Sequence, residues 1–151
     1  MVTFNGKVVE RRLRIEARPE VVFTYFTDPQ KMLAWKGVEA DLDPRPGGVY
    51  RVNVTGREVA RGEYQEVTPH SRVVFSWGWE GNPDVPPGSS TVEVTLTPDG
   101  DGTLLVLRHG NLPEGAGAGH AEGWDHFLPR LAISAAGGNP GVDPWTQGPP
   151  A

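Results

Sequence analysis

Residues 120–131, HAEGWDHFLPRL, bring together histidines and carboxylates that could bind a metal ion or transfer protons. On an α-helix with about 100° per residue, His120 and His126 lie about 240° apart and cannot share a metal ion through that helix alone. Glu122 and His126 have the i, i+4 spacing of a helical zinc pair, but two ligands are too few for a metal site. We therefore expect a solvated ion pair between Glu122 and His126, and no metal.

The same stretch also carries an amphipathic stripe. On a helix, one face is apolar except for its first member and comprises His120, Trp124, Phe127, Leu128, Leu131 and Ala135. This pattern predicts a long amphipathic helix over residues 120–136. We expect it to begin near Gly119, because the glycines of residues 111–119 are poor helix formers. Its aromatic face needs a large apolar partner, and a β-sheet is the only candidate of that size.

Alternating apolar residues predict that sheet. The predicted strands cover residues 7–16, 37–43, 49–55, 58–69, 71–80, 91–98 and 103–110. Two short helices follow the first strand. Pro19 opens the first, and Asp28 caps the second with Pro29 at its first helical position. The inward face of the sheet carries large apolar side chains, namely Tyr50, Phe75, Trp77, Trp79, Val94 and Leu96.

Composition limits the class of protein. The chain has 151 residues and no cysteine, and its net charge is -5 with scattered basic residues. We expect one domain over residues 1–136, no nucleic-acid partner and no membrane insertion. The start, MVTFNGKVVERR, lacks the apolar stretch of a signal peptide, so we expect a cytoplasmic protein. Residues 137–151 are rich in proline and glycine and predict a tail that is ordered only if Trp145 docks.

Five segments in a fixed order resemble a known family. They are ARPEVVFTYFTDPQKMLAW, DPRPGGVYRV, ARGEYQEVTPHSRVVFSW, TVEVTLTPDGDGTLLVLRHG and HAEGWDHFLPRL, and they cover most of residues 8–132. This pattern resembles the START and birch-pollen-allergen-like (SRPBCC) superfamily, in particular its bacterial branch related to activators of the heat-shock-protein-90 ATPase. The resemblance implies an α+β helix-grip fold, in which a curved antiparallel sheet of about six to seven strands wraps around the C-terminal helix. It also implies a cavity between them for an apolar or amphipathic small molecule.

The candidate ligand-binding residues are those expected to face this cavity: Tyr50, Tyr64, Phe75, Trp77, Val94, Leu96, Leu107, His109, His120, Trp124, Phe127 and Leu128. The alternative is that the large aromatics are ordinary core. The hydroxyls of Tyr50 and Tyr64 could face the cavity or reach solvent at its rim. His109 could contact a ligand or bond backbone at the sheet edge, and His120 could meet it at the mouth of the cavity.

Three functions compete. We expect first a binder of a small hydrophobic molecule, with no cofactor and no catalytic residue assigned. The second candidate, also implied by the resemblance, is an enzyme of the polyketide cyclase or aromatase type. Such an enzyme needs polar groups in the cavity to hold an enolate or polarise a carbonyl, and the candidates are His109, His120, Arg51 and Tyr64. The third is a chaperone-binding module. Leu104 and Val106, on the outer face of the last strand, indicate a surface for a homodimer; the alternative is that they are ordinary exposed apolar residues.

Overall fold

A computed structural model describes residues 8–147 of the chain. Its seven strands in this range are β1 (Val9–Ile15), β2 (Glu39–Leu42), β3 (Val49–Asn53), β4 (Val59–Thr68), β5 (Arg72–Trp77), β6 (Ser90–Asp99) and β7 (Gly102–Gly110). The helices are α1 (Pro19–Thr24), α2 (Pro29–Leu33), α3 (Gly117–Ala135) and a short 3₁₀ helix at Pro144–Thr146. None of the helices within residues 8–147 is long and apolar enough to cross a membrane.

The strands form one antiparallel sheet in the order β1-β7-β6-β5-β4-β3-β2. Every strand from β2 to β6 therefore pairs with the next along the chain, and β1 pairs with the last, β7. One apolar core joins α3 to the inner face of this sheet, through residues such as Phe75 and Leu107 on the strands and Phe127 and Leu131 on the helix. The predicted α+β helix-grip fold is confirmed.

Local sequence explains how the chain leaves β1. Asp28 has extended backbone, and its carboxylate accepts hydrogen bonds from the backbone N–H groups of Gln30 (2.9 Å) and Lys31 (3.4 Å). Pro29 follows at the first helical position, where no backbone donor is required. This is the predicted start of α2, and just after this helix Trp35 and Lys36 are buried.

The predicted start of α3 was wrong by two residues. The helix begins at Gly117, not near Gly119, and includes Gly119 and Gly123. A glycine inside a helix costs about 1 kcal/mol relative to alanine. Burial of Trp124, Phe127 and Leu128 on the sheet outweighs that cost, because helical stability in proteins comes mainly from packing.

The residues after α3 fold back along it. Arg130 donates hydrogen bonds to the carbonyls of Pro140 and Gly141, at 3.3 and 2.9 Å. Trp145 stacks on the ring of His126 with centroids 3.8 Å apart. Trp145 thus docks, which is the condition under which the sequence predicts an ordered tail; residues 148–151 lie outside the described range.

The expected ion pair between Glu122 and His126 was wrong. His126 Nε2 lies 2.7 Å from Asp143 Oδ1. Asp143 is buried, whereas Glu122 is exposed. The returning segment therefore supplies a partner that helical spacing could not reveal.

Candidate functional site

A cavity of about 610 Å³ lies between α3 and the end of the sheet near Trp77. Its apolar wall consists mainly of aromatic side chains from β5, the loop after it, α3 and the returning segment: Trp77, Trp79, Val85, Trp124, Phe127 and Trp145. The helix glycines Gly119 and Gly123 also line it. Because they have no side chain, they leave this space open beside the indole rings.

The structure divides the twelve candidate residues into two groups. Four line the cavity: Trp77, His120, Trp124 and Phe127. The other eight are buried in the core beside it: Tyr50, Tyr64, Phe75, Val94, Leu96, Leu107, His109 and Leu128. Tyr50 illustrates the second group, because its ring stacks on Phe75 with centroids 4.1 Å apart.

His109 is fully buried and is held by a chain of hydrogen bonds. Trp124 Nε1 donates to His109 Nδ1 at 3.0 Å. His109 Nε2 lies 2.8 Å from Ser90 Oγ, and that hydroxyl donates to the Trp77 carbonyl at 2.7 Å. Since the hydroxyl hydrogen is committed to the carbonyl, Nε2 must carry the imidazole proton and donate it to Ser90. Burial, followed by the proximity of His120 and Lys36, holds the pKa of His109 well below its usual value.

His120 is fixed in the same way. Its Nε2 accepts a hydrogen bond of 3.0 Å from Trp79 Nε1, and its Nδ1 donates to the Ala116 carbonyl at 2.8 Å. Burial lowers the pKa of His120, although the bond to Ala116 opposes this, and Lys36 lowers it further. Both imidazoles are therefore held neutral. The His109 and His120 rings do meet, with centroids 5.0 Å apart.

These bonds decide what the two histidines can do. The lone pair of each imidazole already accepts an indole N–H, so neither is free to take a proton or to bind a metal ion. Within residues 8–147, no group of three or more histidine, cysteine, aspartate or glutamate side chains could hold a metal ion.

The other two candidate polar groups lie elsewhere. Arg51 pairs with Glu80 at 3.0 Å and Glu39 at 3.4 Å, and none of the three lines the cavity. The Tyr64 hydroxyl is buried and donates to the Phe26 carbonyl at 2.7 Å. It reaches neither solvent nor the cavity.

Lys36, three residues after α2, is the polar residue that sequence reasoning missed. It lines the cavity, is 2% exposed, and its Nζ lies 4.1 Å from the Trp77 ring centroid and 4.2 Å from that of Trp124. Its amine makes no hydrogen bond or ion pair with any residue between 8 and 147. Burial alone holds the pKa of Lys36 well below its usual value, because the ammonium form is removed from water.

The backbone around Lys36 is held tightly. Gly37 has a φ of +91°, and a Cβ there would lie 2.7 Å from Val52 Cγ1 and 2.9 Å from the Asn53 carbonyl oxygen. Only glycine allows this left-handed turn so close to β3. On the other side, Arg130 from α3 donates to the Trp35 carbonyl at 3.1 Å. The turn therefore positions Lys36 between the sheet and the helix.

Trp77 provides a second unpaired polar group. Its Nε1 is buried and has no hydrogen-bond partner among the described residues. The indoles of Trp79 and Trp124, by contrast, donate to His120 and His109. Unpaired buried polar groups are rare in native structures, but this indole nitrogen has almost no accessible surface, so it lies within the wall of the cavity. The Lys36 amine therefore marks the polar part of the cavity.

The rim of the cavity is acidic. Glu58, Asp84 and Glu114 line it and are exposed. Apart from Lys36, they are the charged residues that line the cavity within the part of the chain that the structure describes. The site is thus an aromatic chamber with one buried amine inside and carboxylates at its mouth.

Comparison with known proteins agrees with this architecture. The family profile for Activator of Hsp90 ATPase homolog 1-like protein (AHSA1) matches residues 16–135. The chain belongs to this family. No curated protein matches the sequence.

Solved structures share the fold. An AHSA1-like protein from Rhizobium etli is 52% identical, with a TM-score of 0.73, covering 91% of this chain and 87% of that one. CalU16 from Micromonospora echinospora is 31% identical, with a TM-score of 0.70, covering 86% and 76%. The Aha1 dimer from Colwellia psychrerythraea, at 18% identity, shows the fold alone, with a TM-score of 0.77 and coverage of 88% and 98%. A dimer is thus documented for a protein of this fold.

Proposed function

We propose that the protein binds a small, largely apolar molecule in the cavity between α3 and the sheet. The observation that carries this proposal is an aromatic chamber that holds a buried amine with no hydrogen-bond or ion-pair partner within residues 8–147. Its volume of about 610 Å³ lies within the range of about 300–1,000 Å³ usual for small-molecule pockets. Lys36 Nζ supplies the kind of placed polar group that such pockets use to orient a ligand.

The alternative functions have less support. The four groups expected to serve a cyclase are occupied, because His109 and His120 are bonded to indoles, Arg51 pairs with surface carboxylates and Tyr64 binds a backbone carbonyl. Lys36 is left as the buried acid–base group that lines the cavity. A chaperone-binding role rests on family membership, and a shared fold does not by itself transfer function. Dimerisation through Leu104 and Val106 remains a prediction; both are half-buried on β7.

The test fills the cavity without disturbing the fold. Gly123 lines the cavity, and a Cβ built on it meets no atom within 4 Å. Gly123→Phe should therefore place a ring in the cavity, and the loss of a helix glycine favours α3 by roughly 0.5 kcal/mol. The matched control is Gly117→Phe, on the same helix with equally open space but outside the cavity lining.

The probe is N-phenyl-naphthylamine, a neutral dye whose fluorescence rises in apolar surroundings. We expect the unchanged protein and Gly117→Phe to bind it equally, and Gly123→Phe to bind roughly tenfold or more weakly, a loss of about 1.4 kcal/mol. Circular dichroism checks that all three are folded. Equal binding by all three proteins, or no binding by any, would overturn the proposal.

A further inference from the structure

We propose that the amine of Lys36 forms a reversible imine with an aldehyde or ketone group of the bound molecule. This inference rests on the proposed function, because the carbonyl compound must first enter the aromatic cavity. It adds to that function the chemical class of the ligand and a covalent step.

The first argument is the placement of the amine. Lys36 Nζ lies in the chamber between the rings of Trp77 and Trp124, at 4.1 and 4.2 Å from their centroids. No carboxylate within residues 8–147 pairs with it, so nothing there holds its proton by an ion pair. The titratable groups that interact with Lys36 are His109 and His120, which are both held neutral, and desolvation lowers the pKa of Lys36. A desolvated lysine in an apolar pocket is an activated amine nucleophile.

The residue type fits this role. An arginine at this position would keep its charge under all ordinary conditions, whereas lysine loses its proton readily when buried. The tight turn at Gly37 and the bond from Arg130 to the Trp35 carbonyl hold the backbone beside the amine. Lys36 is thus a fixed group, unlike the exposed Lys31 on α2.

The acidic rim of the cavity disfavours anionic ligands, which are the main alternative to a neutral carbonyl compound. A carboxylate ligand would also pair with a buried lysine, but it would have to pass Glu58, Asp84 and Glu114. The whole chain adds a net charge of -5. Like charges at a mouth lower the local concentration of an anion, whereas a neutral aldehyde or ketone is not repelled. The electrostatics therefore favour a neutral carbonyl compound.

The step is chemically balanced. The Nζ lone pair attacks the carbonyl carbon, the π electrons move to oxygen, and a proton passes from nitrogen to oxygen to give a carbinolamine. The nitrogen lone pair then forms the C=N bond, and the hydroxyl leaves. The hydroxyl takes the remaining proton of that nitrogen and departs as water.

The experiment traps the imine. The protein is incubated with naphthaldehyde and sodium cyanoborohydride near neutral pH, and the modified residues are identified by intact mass and peptide mapping. The chain has three lysines, at positions 7, 31 and 36, which makes the assignment direct. We expect saturable modification concentrated on Lys36, retained in Lys31→Met and lost in Lys36→Met. The advantage of Lys36 over Lys31 should grow roughly tenfold for each unit by which its pKa is lower.

A second variant guards against misfolding of Lys36→Met. Gly123→Phe should slow modification of Lys36 by roughly tenfold while leaving Lys31 unchanged in the same sample. If Lys31 is modified as fast as Lys36, or if Gly123→Phe has no effect on Lys36, the imine proposal is overturned. Binding of N-phenyl-naphthylamine is measured alongside: if the dye binds and Gly123→Phe blocks it, the proposed function survives even when the imine fails.

Discussion

Lys36→Met should stabilise the protein near neutral pH, although it removes a residue of the candidate site. Methionine keeps an unbranched apolar chain between Trp77 and Trp124. It removes an amine that has no hydrogen-bond or ion-pair partner within residues 8–147. A buried polar group left unsatisfied costs about 1–3 kcal/mol. The variant is therefore expected to gain free energy of unfolding, which is unusual for a substitution at a buried position.

The gain should depend on pH. Folding lowers the pKa of Lys36 below the ordinary lysine value of 10.5, because burial disfavours the ammonium. The unfolded chain then binds more protons than the folded one, so the stability of the unchanged protein rises with pH between the two pKa values. The slope there is about 1.4 kcal/mol per pH unit. This pH-dependent part of the cost is greatest below the lowered pKa and vanishes above 10.5.

Two effects act on the ammonium of Lys36, and their relative size determines whether folding lowers or raises its pKa. The indoles of Trp77 and Trp124 attract a cation, by about 2 kcal/mol each when desolvated. Removing an ammonium from water costs several kcal/mol even after relaxation, and no carboxylate in the described part of the chain offsets it. Desolvation therefore prevails, and the pKa of Lys36 falls.

Urea unfolding followed by tryptophan fluorescence measures the effect at several pH values from neutral up to the ordinary lysine pKa of 10.5. The difference between Lys36→Met and the unchanged protein should shrink as pH rises. Lys31→Met is the control, because Lys31 is exposed and its loss should change stability by less than about 0.5 kcal/mol. A variant that is destabilised at neutral pH, or a difference that does not vary with pH, would refute the reasoning.

Two further substitutions test the interactions around the cavity. His109→Leu should lower the free energy of unfolding by about 1–3 kcal/mol, because the buried Trp124 Nε1 loses its acceptor; a neutral result in urea unfolding would mean that the indole has another acceptor. Asp125→Asn should change stability by less than about 1 kcal/mol, since its pair with Arg11 is solvent-exposed, and thermal unfolding at low and high salt would reveal any larger contribution.

Much of the fold follows from residue patterns. Tyr50 and Val52 on β3 alternate with polar residues and are buried, and Asp28 caps α2 through its carboxylate. Such signals are local, so they can be identified along the chain without knowing what packs where. The start of α3 at Gly117 could not be predicted in this way, because tertiary packing of Trp124 overrides the low helix propensity of its glycines.

The site was harder to predict than the fold. A lysine just after a short helix has an ordinary explanation, since cations are favoured near helix C-termini. Nothing in the sequence around Lys36 reveals that its side chain is buried. That burial depends on the turn at Gly37, which approaches β3, and on the indoles of Trp77 and Trp124 from two distant segments. Such placement is a property of the assembled fold.

The histidines attract attention first, yet their bonds direct the chemistry to Lys36. His109 and His120 accept the indole hydrogens of Trp124 and Trp79, and this leaves both imidazoles neutral and occupied. Without those acceptors, the indole N–H groups of Trp124 and Trp79, two residues that line the cavity, would lose their hydrogen-bond partners. With them in place, the Lys36 amine lines the chamber with neither a hydrogen-bond nor an ion-pair partner within residues 8–147. The histidines thus occupy two indole donors, and the amine of Lys36 is left as the nucleophile in the chamber.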